Sequence, residues 1–176
     1  MFKFCSLFSG STGNSLLVET DNSKILVDAG ESAKKIVNAL SLVDVDISDI
    51  DAIIVTHEHS DHVKSLGTLS NKYNIPVYAN LNTWNAMPEQ KNKVLADNQN
   101  VFVTNQDFEI KDLKIHPFAI SHDAAEPCGF NIYNKKKKIS VATDLGHVSP
   151  ELLANLEKSA FVLLEANYDP EILKYS

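Results

Sequence analysis

The sequence predicts a mixed α/β fold, with residues 1–176 forming one domain. Its 176 residues and 44% hydrophobic content allow a sizeable core but leave too little chain for two comfortable domains. Short apolar runs with strand character alternate with segments of helical periodicity, without linkers, repeats or low-complexity stretches between them. No stretch is long and apolar enough to span a bilayer, which argues against a membrane protein.

Individual strands and helices follow from residue patterns along the chain. Apolar runs predict strands at 2–8, 15–20, 24–28, 51–56 and 76–79, a β-rich stretch from 101 to 143, and a strand at 160–166. A helix is predicted over 32–41, because its apolar residues recur at the spacing of one buried face. Another helix is predicted to begin at Ser149 and Pro150, an N-cap residue followed by proline in the first helical position.

Four candidate metal ligands occur within six residues, directly after the apolar run 52–55: His57, His59, Asp61 and His62. Alternate residues of an extended strand project to one side, so His57 and His59 are expected to face a common ion. Ser60 is a suitable N-cap for a helix that begins near Asp61. Such a cluster at the end of a strand predicts a metal site with hydrolytic chemistry. The alternative is a polar surface loop that happens to be rich in histidine.

The pattern His57-x-His59-x-Asp61-His62 resembles the signature of the metallo-β-lactamase superfamily of hydrolases. The resemblance implies two β-sheets packed face to face with helices outside, the four-layered αβ/βα sandwich. It also implies two further metal ligands after later strands: His122 in the third ligand position, and Asp144 as a bridge between two metals. Without the resemblance, a lone histidine such as His122 would more often have a structural role, and Asp144 could be an ordinary turn aspartate.

Asp28 closes an earlier predicted strand and matches an aspartate of the superfamily pattern that orients the ligand loop. We expect it to hydrogen-bond a ligating histidine without binding the metal itself, because a ligating histidine needs a partner for its other ring nitrogen. Helix capping or a turn is the alternative role. His116 and His147 are weaker candidates, for which surface or core packing is the default expectation.

Four segments together resemble the YycJ/WalJ-type, nuclease-like branch of the superfamily: residues 8–15, 121–124, 143–146 and 165–169. The last departs from the common form at Tyr168, where histidine is frequent. The resemblance implies DNA exonuclease activity linked to DNA repair. It also implies two divalent metal ions, for which zinc is favoured over manganese. A hydroxide that bridges the two metals would be the nucleophile, and Asp61 would accept a hydrogen bond from it. By itself, the Gly/Ser-rich segment 8–15 fits either a hairpin turn or an anion-holding nest.

The same branch supplies a further histidine from a Gly-His-Leu-Ser type segment downstream of residues 165–169, and no such segment occurs between there and Ser176. We therefore expect a C-terminally truncated chain that lacks the last strand and helix and has an incomplete second metal site. Apolar surface around residues 161–164 would then be exposed and could drive formation of a homo-oligomer.

A net charge of -7 indicates that the surface as a whole does not attract nucleic acid. A DNA substrate must then be held by a local site or by the metals. The one basic run, 135–138, lies between two predicted strands and is interpreted as a solvated hairpin tip, with contact to a phosphate backbone as the alternative.

The apolar segment at the N-terminus, residues 1–8, is too short and too interrupted by polar residues to be a signal peptide, which favours a cytoplasmic location. In that setting Cys5 and Cys128 are expected to be reduced, buried thiols. Three functions remain open: a metal-dependent phosphodiesterase acting on DNA, a thioesterase or other small-molecule hydrolase related to glyoxalase II, and a non-catalytic metal-binding protein.

Overall fold

The computed structural model describes residues 1–165, which form two β-sheets packed face to face. In this part of the chain the first sheet contains, in spatial order, β1 (Phe2–Phe8), β2 (Ser15–Thr20), β3 (Lys24–Val27), β4 (Ala52–Ile54), β5 (Val77–Asn80) and β6 (Gln99–Phe102). The second contains β7 (Phe108–Ile110), β8 (Leu113–Ala119), β9 (Cys128–Asn134), β10 (Lys137–Ala142) and β11 (Phe161–Leu164), in the order β11-β10-β9-β8-β7.

The helices connect the strands and cover the outer faces of the sheets. They are α1 (Ala33–Leu42), α2 (Ser60–Val63), α3 (Leu66–Tyr73), α4 (Leu81–Ala86), α5 (Pro88–Lys91) and α6 (Pro150–Leu156), with short 3-10 helices at Ile47–Asp49 and Ala96–Asn98. Within residues 1–165, every helix falls short of the length and apolar character that crossing a bilayer requires.

Side-chain alternation along the strands creates the four predicted layers. In β2, Leu16 and Val18 point into the core between the sheets, whereas Leu17 packs against the helices of the first sheet. On the far side, Phe118 of β8 packs against Leu152 of α6. The structure is therefore an αβ/βα sandwich, as the resemblance to the superfamily implies.

Strand direction places the candidate site at one edge of the sandwich. Strands β3 to β6 run parallel, and β11 runs parallel to β10, whereas the remaining neighbours are antiparallel. The carboxyl ends of β3 and β4 therefore lie side by side, which brings the segments that follow them together.

The predicted boundaries of the strand at 24–28 and of the helix near Asp61 were wrong. The strand predicted at 24–28 ends at Val27, because Asp28 takes the left-handed conformation with φ 63°. Ser60 is the first residue of α2, and His59 occupies the N-cap position. The helix predicted from Asp61 is divided into α2 and α3, with Ser65 between them in a non-helical conformation.

The predicted start of α6 is confirmed. Ser149 is the N-cap and its Oγ accepts a hydrogen bond from the Leu152 backbone N at 3.1 Å, while Pro150 occupies the first helical position. The basic run begins at a hairpin turn with Lys135, as predicted. Its last residue, Lys138, differs: Nζ donates to the carbonyls of Asn155 and Glu157 at 2.6 Å each and so stabilises the end of α6.

The two cysteines are free thiols, as predicted. Cys128 is fully buried, which raises the pKa of its thiol well above the usual value. Cys5 is only half-buried, so the expectation of burial was wrong for this residue.

Candidate metal centre

Loops from both sheets meet at one edge and carry the candidate ligands. His57, His59, Asp61 and His62 follow β4, His122 follows β8 and Asp144 follows β10. Asp144, two residues after the end of β10, has the left-handed conformation with φ 55°, as Asp28 has directly after β3. The structure therefore brings together residues that are separated by up to 87 positions in the sequence, which is the difference between 57 and 144.

One group of potential ligands contains three histidines. Nitrogen atoms of His57, His59 and His122 all lie within 4.8 Å of one another. His122 Nε2 lies 3.1 Å from His59 Nδ1, and the ring of His57 meets the other two edge-on with centroids 4.7 Å apart. Three imidazoles in this arrangement are a typical zinc-binding set.

A second group shares His57 with the first. Donor atoms of His57, His62 and Asp144 also lie within 4.8 Å of one another. Asp144 Oδ2 is 2.8 Å from His62 Nε2 and 4.0 Å from His57 Nε2. The candidate ligand Asp61 is not part of either group, but its Oδ2 lies 3.5 Å from His62 Nε2.

Burial at His57 fits a metal ligand better than an ordinary core histidine. The side chain is fully buried, yet among the described residues its Nε2 has no hydrogen-bond partner. Burial lowers the pKa of this imidazole to about 2, and repulsion from neighbouring histidines acts in the same direction. His57 is therefore neutral and offers a lone pair, which is the state that metal binding requires.

The His62 side of the centre is rich in negative charge. Burial alone lowers the pKa of His62, but the adjacent Asp28 and Asp144 carboxylates outweigh this effect and raise it to about 10. The carboxylates thus favour positive charge at this position. A divalent cation satisfies the same requirement and displaces the proton from the ligating nitrogen.

Asp28 makes the contacts that an orienting residue needs. Its Oδ2 lies 2.8 Å from His62 Nδ1 and accepts a hydrogen bond from Thr56 Oγ1 at 2.8 Å, while Oδ1 accepts from the Thr56 backbone N at 2.9 Å. The carboxylate is buried and follows β3, the neighbour of β4, after which the ligand turn, residues 57–62, begins. It fixes which nitrogen of His62 faces the candidate centre.

Sequence reasoning missed the role of Asn14. Its Nδ2 lies 3.0 Å from His62 Nε2 and 3.5 Å from Asp61 Oδ2, and its backbone N donates to the Asp61 carbonyl at 2.7 Å. The Gly/Ser-rich loop that contains Asn14 therefore supports the metal-ligand turn. The amide within Gly13-Asn14-Ser15 was the available signal, but no sequence pattern says which turn it contacts.

Gly30 was also missed. A Cβ atom at this position would lie 1.5 Å from the Asp61 carbonyl oxygen and 2.6 Å from the Asn14 backbone N. The absence of a side chain lets three loops meet beside the candidate ligands. A glycine two residues after Asp28 was the visible clue to this close backbone approach.

The remaining sequence candidates lie elsewhere. His116 Nδ1 is 2.7 Å from Asp107 Oδ1 and is not part of either ligand group, and His147 is exposed. Most of the segment 165–169, including Tyr168, lies outside the described residues.

This fold and this set of histidines and aspartates have clear counterparts among known proteins. Residues 23–173 match the family model described as a Beta-lactamase superfamily domain, and the chain belongs to that superfamily. The chain is 41% identical over 171 residues to Exodeoxyribonuclease YycJ of Bacillus anthracis, an alignment that covers 97% of this chain. It spans 65% of the length of that curated relative.

Solved structures with low sequence identity share the fold. The metallo-beta-lactamase fold protein YhfI of Bacillus subtilis superposes with a TM-score of 0.76 at 17% identity, covering 95% of this chain and 71% of YhfI. Zn(2+)-bound PqqB of Methylobacterium extorquens gives 0.73 at 19% identity, covering 88% of this chain and 60% of PqqB. These likenesses support the architecture described above.

Proposed function

We propose that this chain carries the metal centre of a phosphodiesterase that degrades DNA as an exonuclease. The observation that carries the proposal is the convergence of two ligand groups on His57, whose buried Nε2 has no hydrogen-bond partner among the described residues. The 41% identity to a protein named exodeoxyribonuclease supports DNA as the substrate. We also propose that the protein acts in DNA repair in the cytoplasm.

His57, His59 and His122, the first group, would hold one divalent ion. His62 and Asp144 of the second group would hold the other together with Asp61, which lies beside His62 but is in neither group, and Asp144 lies near both sets. Imidazoles favour zinc, whereas the carboxylates also accept manganese. Bound ions of this kind generate a nucleophile from water at neutral pH and stabilise charge on phosphate oxygens.

The protein side chains supply orientation and proton handling. Asp61 is 27% exposed at its side chain, so it is the carboxylate of the ligand turn best placed to meet both solvent and substrate. We assign it the role of accepting a hydrogen bond from the attacking water. Asp28 holds His62 in position through its contact with His62 Nδ1, and Thr56 holds Asp28 in turn through a hydrogen bond to the same carboxylate oxygen. The acidic chain leaves substrate phosphate to be recognised at the centre itself.

An end-labelled DNA strand incubated with the protein and manganese or zinc tests this function. We expect labelled nucleotides to be released from the end. His59→Ala should reduce the rate by more than about 100-fold. Losing a residue that only hydrogen-bonds to a metal ligand typically lowers activity by about 10- to 100-fold, and losing the ligand itself should lower it further. His116→Ala is the matched control and should retain full activity, since His116 lies outside both ligand groups.

Two results would contradict the nuclease proposal. Cleavage of an acyl-glutathione substrate with intact DNA would indicate a thioesterase. Failure to hydrolyse either substrate, with metal bound, would indicate a metal-binding protein without hydrolytic activity.

A further inference from the structure

The two segments that supply the three-histidine group are joined by a glutamate within the ligand turn. Glu58 lies between His57 and His59, and its Oε1 accepts a hydrogen bond from the Ala125 backbone N at 2.7 Å. Ala125 belongs to the loop that carries His122. The contact therefore links residues that are 67 positions apart in the sequence.

The His122 loop is anchored at both ends, and after its C-terminal end the Cys128 backbone N donates to the carbonyl of Thr56, the residue before His57, at 3.1 Å. The Gly146 backbone N donates to the Ser121 carbonyl at 2.7 Å, and Asn80 Nδ2 donates to the Glu126 carbonyl at 2.7 Å. Between these points the loop has no regular secondary structure. Its position relative to His57 and His59 thus depends on what holds its middle.

A purely stabilising role does not explain Glu58 well. Its Oε2 atom is buried without a hydrogen-bond partner in the described part of the chain, and a buried, unpaired carboxylate oxygen is destabilising. This cost offsets the hydrogen bond that Oε1 makes. The net contribution to folding is therefore small, whereas the geometric effect on the His122 loop is direct.

We propose that Glu58 is a positioning residue, which sets the distance between His122 and the pair His57 and His59 through its hydrogen bond to Ala125. The inference rests on the metal centre proposed above. Glu58 acts through the loop backbone and does not itself bind the ion. Its removal should weaken metal binding without a matching loss of stability in the metal-free protein.

Zinc affinity, measured by competition with a chromophoric chelator, tests this role in the full chain. Glu58→Ala should weaken zinc binding by about 10-fold, the lower end of what outer partners contribute to metal sites. Glu58→Gln keeps an oxygen acceptor for Ala125 and should restore affinity. Glu89→Ala removes an exposed glutamate and should bind zinc as the unmodified protein does.

Two further measurements separate positioning from general stability. The Tm of metal-free Glu58→Ala should lie within about 3 °C of the unmodified value, because the lost hydrogen bond and the relieved burial offset each other. The visible spectrum of the cobalt(II) form should change in Glu58→Ala and recover in Glu58→Gln, because it reports ligand geometry.

The outcomes are distinguishable. Unchanged zinc affinity in Glu58→Ala, or a loss that Glu58→Gln does not restore, would overturn the positioning role. A large fall in the Tm of the metal-free variant would overturn it as well. The proposed metal centre stands in each of these cases as long as His59→Ala abolishes zinc binding, and it fails if His59→Ala binds zinc normally.

Discussion

Replacing Gly30 with alanine is expected to destabilise the protein by at least about 3 kcal/mol, at the upper end of the cost of overpacking. The added Cβ would lie 1.5 Å from the Asp61 carbonyl oxygen and 2.3 Å from its carbonyl carbon. Both are backbone atoms, so rotation of a side chain cannot relieve the clash. For a chain of this size the Tm should fall by about 6 °C or more.

The clash also predicts a loss of function in whatever protein still folds. Moving the Asp61 backbone breaks its hydrogen bond with the Asn14 backbone N, which is 2.7 Å long, and shifts the carboxylate beside His62. Gly30→Ala should therefore lower both the free energy of unfolding, measured with urea, and the affinity for zinc.

Gly146→Ala is the matched control for Gly30→Ala. The nearest atom to an added Cβ there is the Ser121 carbonyl oxygen at 3.1 Å, so an adjustment of a few tenths of an ångström suffices. Its free energy of unfolding should change by less than about 1 kcal/mol. Equal stability of the two variants would contradict the close approach of Gly30 to Asp61.

Replacing Asp28 with asparagine is expected to weaken metal binding at the His62 side of the centre by about 10- to 100-fold. The carboxylate receives two hydrogen bonds from Thr56 and faces His62 Nδ1 at 2.8 Å. Asparagine keeps the shape and tolerates the left-handed backbone at φ 63°, but it replaces one acceptor oxygen with a donor.

One Asp28 partner is then left unsatisfied in either amide orientation. If the amide NH2 faces His62, it favours the tautomer that carries its proton on Nε2, the nitrogen next to Asp144. If it faces Thr56, two donors meet. We expect a stability loss of about 1–3 kcal/mol together with the weaker metal binding.

Asp112→Asn separates the two effects. Asp112 accepts hydrogen bonds from Thr20 Oγ1 and Asn134 Nδ2, both at 2.9 Å, and from Ser23 Oγ. It lies at the start of β8, at the end opposite to His122. This variant should lose stability but bind zinc normally. Normal zinc binding by Asp28→Asn would contradict the orienting role of Asp28.

Much of the architecture was predictable because local patterns and packing agree. Strand β2 alternates its buried side chains between two cores, α1 has one apolar face, and Ser149 with Pro150 marks the start of α6. The boundaries that differed, such as the end of β3 at Val27, follow from the left-handed backbone of the next residue. Helices α4 and α5 were not predicted, because each is too short to show the periodic spacing of apolar residues that indicates a helix.

The candidate site was predictable where ligand types cluster in sequence or match a known order. The structure brings His57, His59 and His122 within reach of a common ion. The sequence did not indicate the roles of Asn14, Gly30 and Glu58, because these roles arise from contacts with distant loops. A hydrogen bond such as Glu58 to Ala125 depends on the tertiary fold, and neither residue type signals it.

Anomalous diffraction at the zinc edge, from crystals of the protein grown with zinc, would show whether His57, His59 and His122 bind a metal ion. We predict a peak about 2.0–2.1 Å from a ring nitrogen of each of His57, His59 and His122. A second peak of lower occupancy is expected among Asp61, His62 and Asp144, because the second metal site is expected to be incomplete. Zinc peaks confined to His116, His147 or other surface sites, with none at the three-histidine group, would contradict a metal centre at this edge of the sandwich.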